Sequence, residues 1–166
     1  MKEKLSNMLH NSILLELNVG KLYQLFHTLF PEHEAFWWKL SLEEENHAAL
    51  IKSIKEHFEP VGKIPDNLLS SSLQKLQDSN ATIASLIEKY TAIPPSAEEA
   101  FNTALKLELT AGEIHYQDFM GKDQNSVINK TFQKLNQDDK NHAARLRSHM
   151  KKHNIAIHEE AQHSNS

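Results

Sequence analysis

The sequence predicts an all-α fold, and three observations lead to this prediction. Only 4 glycines and 5 prolines interrupt the 166 residues, whereas Leu, Ala, Glu and Lys, which favour helices, recur at 3- and 4-residue steps. The tetrapeptide Asn-His-Ala-Ala occurs twice, at residues 46–49 and 141–144. Similar helical stretches precede both copies, which indicates a duplicated helical hairpin within one domain.

The first hairpin is predicted to turn near residue 30. Its first helix is expected from about residue 2 to about residue 28, because its apolar residues form one stripe at helical spacing, and Glu16 lies inside that stripe. Pro31 is expected to open the second helix, as proline commonly does in a first turn. On the apolar face of this helix, Glu44 and His47 stand where core residues are expected.

Residues 59–95 interrupt the pattern with several prolines and one glycine, and only a short apolar period appears among them. A direct turn needs a handful of residues, whereas this segment is long enough to travel back along a helix of about 40 Å. We therefore expect a four-helix bundle with one long crossover that carries a short helix.

The second hairpin begins at a capping box, in which Ser96 is followed by Glu99 three residues later, so the third helix should start at Ala97. It is expected to end near Gly121, with Glu108 on its apolar stripe. The fourth helix is expected from about residue 125 to about residue 152, with Asp139 and His142 on its apolar stripe. The bundle would then span residues 1–152, and the polar tail 153–166 is expected to fray.

Composition excludes several functional classes. A net charge of −4 without a basic cluster argues against a nucleic-acid partner. No apolar run approaches the length that a membrane span requires, and the charged N-terminal residues do not resemble a signal peptide, so a cytoplasmic protein without a membrane partner is expected. The absence of cysteine excludes disulfides, thiol catalysis and cysteine-ligated metal centres.

Six polar residues on these apolar stripes are predicted to meet. In each Asn-His-Ala-Ala copy a carboxylate stands three residues before the histidine, and such a pair projects from one helix face. In each hairpin, the carboxylates on the two helices are about equally many residues from the turn, so they are expected at the same level. Buried carboxylates need a neutralising partner, and two divalent cations would balance four of them. The predicted ligands are Glu16, Glu44, His47, Glu108, Asp139 and His142.

This pattern resembles the rubrerythrin-like branch of the ferritin-like di-iron carboxylate superfamily, over residues 2 to 152. The resemblance implies that Glu16 and His47 hold one iron, that Glu108 and His142 hold the other, and that Glu44 and Asp139 bridge them. It also implies a ferritin-like bundle and a homodimer. Manganese or zinc could replace iron, since oxygen and nitrogen ligands also accept these metals.

The sequence departs from the family in three places. Asp139 stands where the family usually has glutamate, and its side chain is shorter by one methylene. Either the helix shifts inward so that Asp139 bridges the ions, or Asp139 binds one ion only, or it acts through water. Ala111 replaces an additional glutamate of rubrerythrin. The cysteine-ligated domain that delivers electrons in full-length rubrerythrins has no counterpart, so the electron donor must be another molecule.

The leading hypothesis is a non-haem di-iron oxidoreductase that reduces peroxide or dioxygen. Iron oxidation with storage or transfer is one alternative, and a non-catalytic di-metal structural or sensor bundle is another. No catalytic residue separate from the metal ligands is predicted.

Other polar residues and glycines have two interpretations each. Tyr23 and His115, at equivalent positions in the two halves, either pack in the core, which is favoured, or hydrogen-bond a ligand. Gly20 and Gly112 either leave room for a small oxidant or permit close helix packing. The remaining histidines are expected on the solvated surface: His10, His27, His33, His57, His149, His153, His158 and His163.

Overall fold

A computed structural model describes residues 2–64, 73–115 and 127–158, with side chains for all of these except residues 2 and 111–115. These ranges contain five α-helices and no strand, which confirms the all-α prediction for the described residues. The helices are α1 (Lys2–Leu29), α2 (Glu34–Phe58), α3 (Leu73–Ala92), α4 (Ala97–His115) and α5 (Val127–Lys152). None of these described helices has the length and apolar character needed to cross a membrane.

The helical hairpin of α1 and α2 turns where the sequence predicts. Pro31 starts a short 3-10 helix, Pro31–His33, and the α-helix itself begins at Glu34. This differs slightly from the prediction that Pro31 opens α2. Proline still occupies the first helical position, where its missing N–H leaves no carbonyl unpaired.

Helix α3 is longer than the short crossover helix predicted from the sequence. Its first half is polar, but Leu76, Ile83 and Tyr90 recur every seven residues and are buried. Asn80 also ties α3 to α1, because its side chain donates to the backbone oxygen of Asn11 at 3.0 Å. These few anchors are enough to hold a polar segment as a helix along α1.

The second hairpin follows the predicted boundaries where it is described. The backbone N–H of Glu99 donates to Ser96 Oγ at 3.1 Å, so the predicted cap at the start of α4 is present. Helix α5 ends at Lys152 as predicted. The predicted end of the third helix at Gly121 and the start of the fourth at residue 125 lie outside the described residues.

The tail does not fray at once after α5. Asn102 of α4 donates to the backbone oxygen of Ala156 and accepts from the backbone N–H of His158, both at 2.8 Å. Ile155 and Ile157 pack against the core. Residues 153–158 therefore lie along α4, and the rest of the predicted tail is outside the described residues.

The core joins the helices through aromatic side chains. The fully buried ring of Trp37 lies 4.9 Å from Phe26 on α1 and 4.5 Å from Phe101 on α4, between ring centroids. Helix α2 packs against both α1 and α5, and α4 packs against α5. This arrangement directs the inner stripes of α1, α2, α4 and α5 toward one interior.

Candidate metal centre

All six predicted ligands lie in the bundle interior, each at most 5 % exposed. Their ligand atoms form two groups in which every pair of atoms lies within 4.8 Å. The structure therefore brings together side chains from α1, α2, α4 and α5 that are far apart in the sequence. The first group is Glu16, Glu44, His47 and Asp139, and the second is Glu44, Glu108 and His142.

Glu44 belongs to both groups, as expected of a carboxylate shared by two cations. Asp139 joins only the group of Glu16 and His47. The shorter aspartate thus lies where it could bind one cation, which is one of the arrangements left open by its missing methylene. Burial raises the pKa of Asp139 well above its usual value, and Glu16 and Glu108 raise it further.

Both imidazoles direct Nδ1 toward the carboxylates. His142 Nδ1 lies 2.9 Å from Glu44 Oε1 and 3.5 Å from Glu108 Oε1. His47 Nδ1 lies 3.4 Å from Glu44 Oε2 and 3.6 Å from Glu16 Oε2. The two ring nitrogens therefore face the same interior as the carboxylate oxygens.

Several of the close approaches among these inward atoms do not form hydrogen bonds. Four of its buried atoms have no hydrogen-bond partner of acceptable geometry: Glu44 Oε1, His47 Nδ1, Asp139 Oδ2 and His142 Nδ1. Buried polar atoms are nearly always paired, so four unpaired atoms at one point call for a ligand. Oxygen and imidazole nitrogen donors that converge without sulfur suit a divalent cation.

The imidazole pKa values show how strongly the centre attracts positive charge. Burial alone lowers the pKa of His47, but Glu16 and Glu44 outweigh burial and raise it to about 11. For His142 burial is likewise outweighed, and Glu108 and Glu44 raise the pKa to about 12. Without metal, protons on the imidazoles supply the positive charge that the buried carboxylates require.

Two further carboxylates, which the sequence interpretation missed, contact the outer edges of the imidazoles. Glu43 Oε2 lies 2.7 Å from His142 Nε2, and Asp138 Oδ2 lies 3.4 Å from His47 Nε2. A carboxylate on the far nitrogen fixes the ring and strengthens it as a metal ligand. The repeat contained the signal, because Glu43 and Asp138 occupy equivalent positions, one residue before Glu44 and Asp139.

Glu43 is itself held in place. Arg145 Nη1 donates to Glu43 Oε2 at 2.6 Å. Burial raises the pKa of Glu43, but Arg145 and His142 outweigh this effect and hold the pKa below its usual value. Glu43 therefore remains a carboxylate facing His142.

Tyr23 both packs in the core and hydrogen-bonds a predicted ligand, which are the two roles that the sequence left open. Its ring is fully buried with its centroid 5.5 Å from that of Trp37, and its hydroxyl donates to Glu108 Oε1 at 2.5 Å. Burial raises the pKa of Tyr23 well above its usual value, and Glu108 adds to this rise, so the hydroxyl stays a donor. The side chain of His115 lies outside the described part of the chain.

Gly20 lies where α1 packs on α2. A Cβ at this position would lie 3.4 Å from Glu44 Cβ and 3.5 Å from the backbone oxygen of Ser41. These are ordinary van der Waals distances, so an alanine would fit here and close helix packing does not by itself require a glycine. Ala111 and Gly112 lie in the part of α4 whose side chains the structure does not describe.

The centre borders an open groove of about 610 Å³ between α2 and α5. The groove is lined by the outer carboxylates Glu43 and Asp138, by both imidazoles, and by Arg145. Small molecules can therefore reach the outer edges of His47 and His142 without crossing the apolar core.

The chain matches no family model, no curated protein and no solved structure. The interpretation of the centre therefore depends on its own geometry. Because four carboxylates and two imidazoles are buried together, and four of their atoms lack hydrogen-bond partners, these clusters could hold metal ions.

The prediction that the other histidines are solvated is wrong for His33. It is only 8 % exposed, and its Nδ1 lies 3.0 Å from His149 Nε2 on α5. The sequence did not indicate this contact, because it depends on how the turn between α1 and α2 packs against α5. The same prediction for His163 lies outside the described residues.

Proposed function

We propose that this chain is a non-haem di-iron oxidoreductase that reduces peroxide or dioxygen at a carboxylate-bridged two-metal centre. The observation that carries the proposal is the convergence of six buried side chains in two ligand groups, within which four atoms lack a hydrogen-bond partner: Glu44 Oε1, His47 Nδ1, Asp139 Oδ2 and His142 Nδ1. Two divalent cations would balance the four carboxylates, and oxygen and imidazole donors suit iron or manganese. A rubrerythrin-like, ferritin-like bundle is the arrangement we assign to this centre.

The proposed ligand sets follow the two groups. Glu16, His47 and Asp139 would hold one cation, and Glu108 and His142 would hold the other, with Glu44 shared. A ferrous pair held in this way supplies the two electrons that reduction of peroxide requires. With Asp139 on one cation only, the two cations would have different coordination.

The surrounding residues have distinct tasks in this proposal. Tyr23 fixes Glu108 from inside the bundle, and Glu43 fixes His142 from the groove side. The groove between α2 and α5 gives peroxide or dioxygen access to this side of the centre. Electrons come from a separate donor, since the chain has no cysteine to hold a redox cluster, and we propose that the protein acts as a homodimer.

The proposal is tested by loading the metal-free protein with Fe²⁺ under anaerobic conditions and mixing it with peroxide. We expect two Fe²⁺ per chain at this centre and oxidation much faster than that of free Fe²⁺ at the same concentration. The His47→Gln variant should bind less iron and react more slowly, while His57→Gln, an exposed change on the same helix, should behave as the parent. Oxidation no faster than that of free iron would contradict the redox function.

A structural di-metal bundle is the second candidate, because the four buried carboxylates need positive charge whether or not the cations are redox-active. It predicts that zinc raises the melting temperature as much as iron does, and that iron in the centre is inert toward peroxide. Metal analysis of protein purified without added metal, followed by melting before and after chelation, separates the two functions.

A further inference from the structure

A second group of potential metal ligands lies at another level of the bundle. It consists of His33, His149 and His153, whose ligand atoms all lie within 4.8 Å of one another. His33 ends the short 3-10 helix between α1 and α2, and the other two lie at the C-terminal end of α5. His33 is eleven residues before Glu44, or about 16 Å along the chain's helical rise, so the group is separate from the carboxylate centre.

The spacing within this group suits one cation. His33 Nδ1 and His149 Nε2 share a 3.0 Å hydrogen bond, and this separation is close to that of roughly 3.3 Å between two nitrogens on one tetrahedral Zn²⁺. His149 and His153 stand four residues apart, and histidines with this spacing on one helix face can share a metal ion. Their ring centroids lie 4.2 Å apart.

Aromatic neighbours hold the imidazoles in position. The ring of Phe36 stacks on His149 with centroids 4.1 Å apart, and Phe101 lies 5.1 Å from His33. Burial lowers the pKa of His149 to about 4, with further lowering from His153 and His33, and burial also lowers the pKa of His33. At neutral pH the rings of His33 and His149 are therefore neutral, which is the form that binds metals.

We propose that His33, His149 and His153 form a separate site for a borderline divalent cation such as Zn²⁺. Three imidazoles without a carboxylate suit Zn²⁺ better than Mg²⁺ or Ca²⁺, which prefer oxygen ligands. Because His153 is exposed, water can complete the coordination. The bound cation links the turn between α1 and α2 to the end of α5, and so stabilises the packing of the first helical hairpin against the last helix.

The test is a Zn²⁺ titration of the full-length, chelator-treated protein, followed by native mass spectrometry and thermal melting. The variant His153→Gln changes an exposed ligand, and His57→Gln is the matched control, an exposed histidine of α2 outside the group. We expect the parent and His57→Gln to bind one more zinc than His153→Gln. Loss of His153 as a ligand should lower the affinity for this zinc at least about 100-fold. The increase in melting temperature that this zinc causes should then disappear.

The variants also separate this site from the carboxylate centre. His47→Gln should leave the histidine site unchanged, and His149→Gln should reproduce the loss seen with His153→Gln. The test does not depend on the carboxylate centre. Even if that centre holds no metal, a zinc that the parent binds and His153→Gln does not bind supports the histidine site. Equal zinc binding by the parent, His153→Gln and His149→Gln, with normal helical circular dichroism, would overturn the proposal.

Discussion

Tyr23 on α1 donates a 2.5 Å hydrogen bond to Glu108 on α4, across the interior of the bundle. The contact joins the two halves of the duplicated chain at a predicted metal ligand. Since the tyrosine ring also packs against Trp37, removal of the hydroxyl alone separates the hydrogen bond from core packing.

The Tyr23→Phe variant should therefore keep the fold but bind metal more weakly. Loss of a hydrogen bond to a buried carboxylate should cost about 1–3 kcal/mol of stability in the metal-free protein. Metal affinity should fall by about 10- to 100-fold, as observed when a partner of a ligand is removed. Isothermal titration with Mn²⁺ measures the affinity.

Tyr90→Phe is the matched control. The Tyr90 hydroxyl bonds to Glu99 and Thr103, away from the six ligands, and its ring is buried as that of Tyr23 is. It should lower stability and leave metal affinity unchanged. Equal Mn²⁺ affinities for the Tyr23 and Tyr90 variants would show that the hydroxyl of Tyr23 does not support a ligand.

Glu43→Gln should weaken the cation held by His142. The amide is a poorer acceptor for the imidazole and no longer pairs with Arg145, so a loss of about 10- to 100-fold in affinity is expected. Asp138→Asn should have a smaller effect, because Asp138 lies 3.4 Å from His47 whereas Glu43 lies 2.7 Å from His142. Titration with Co²⁺, followed by absorption, measures both.

Glu45→Gln controls for the change of charge on α2. Glu45 is exposed and accepts from Gln24 at 2.6 Å. It should bind Co²⁺ as the parent does. If Glu43→Gln and Glu45→Gln have the same affinity as the parent, the outer carboxylates have no role in holding the imidazoles.

Asp139→Asn should affect one cation more than the other. Since Asp139 groups with Glu16 and His47, the affinity for the cation at these residues should fall at least about 100-fold. The affinity for the cation at Glu108 and His142 should change by less than about 10-fold. Asp139→Glu adds a methylene and should raise the affinity for this second cation. Stepwise Mn²⁺ titration resolves the two constants, with Asp78→Asn on α3 as the exposed control. Equal weakening of both cations in Asp139→Asn would mean that Asp139 bridges them.

The metal-free protein should lose stability as pH rises. The pKa values of His47 and His142 are about 11 and 12 in the folded state and about 6.5 when unfolded. Their contribution is therefore complete below pH 6.5 and declines as pH rises toward the folded values. The raised pKa of Asp139 acts in the same direction, because the unfolded carboxyl loses its proton at lower pH than the folded one.

Metal should reverse this trend, because protons compete with cations for the same ligand atoms. We expect the melting temperature of the chelated protein to fall between about pH 6 and about pH 9, while added Mn²⁺ stabilises the protein more at the higher pH. Thermal melts with and without chelator measure both trends. A metal-free protein that gains stability over this range would contradict the assigned imidazolium–carboxylate contacts.

Helical periodicity was sufficient to predict that the six inner side chains lie together in the interior. Glu16 and Glu44 stand on apolar stripes at equal distances from one turn, and an antiparallel hairpin places such residues side by side. The same rule held for Glu108 and Asp139 in the second hairpin. These contacts follow from local geometry that the chain repeats.

The remaining contacts depend on how the hairpins dock. Glu43 meets His142 only because α2 packs against α5, and His33 meets His149 for the same reason. Neither pair has a characteristic spacing in the sequence. The sequence predicts a shorter helix than α3 because Leu76, which anchors its first half, stands between polar neighbours and is buried only by tertiary packing.

Anomalous diffraction at the iron edge, from crystals grown with Fe²⁺ under anaerobic conditions, tests the central claim most directly. The account predicts two iron peaks roughly 3.5–4 Å apart, one beside Glu16, His47 and Asp139 and the other beside Glu108 and His142, with Glu44 between them. No peak within this interior, or iron bound only at the surface, would contradict it.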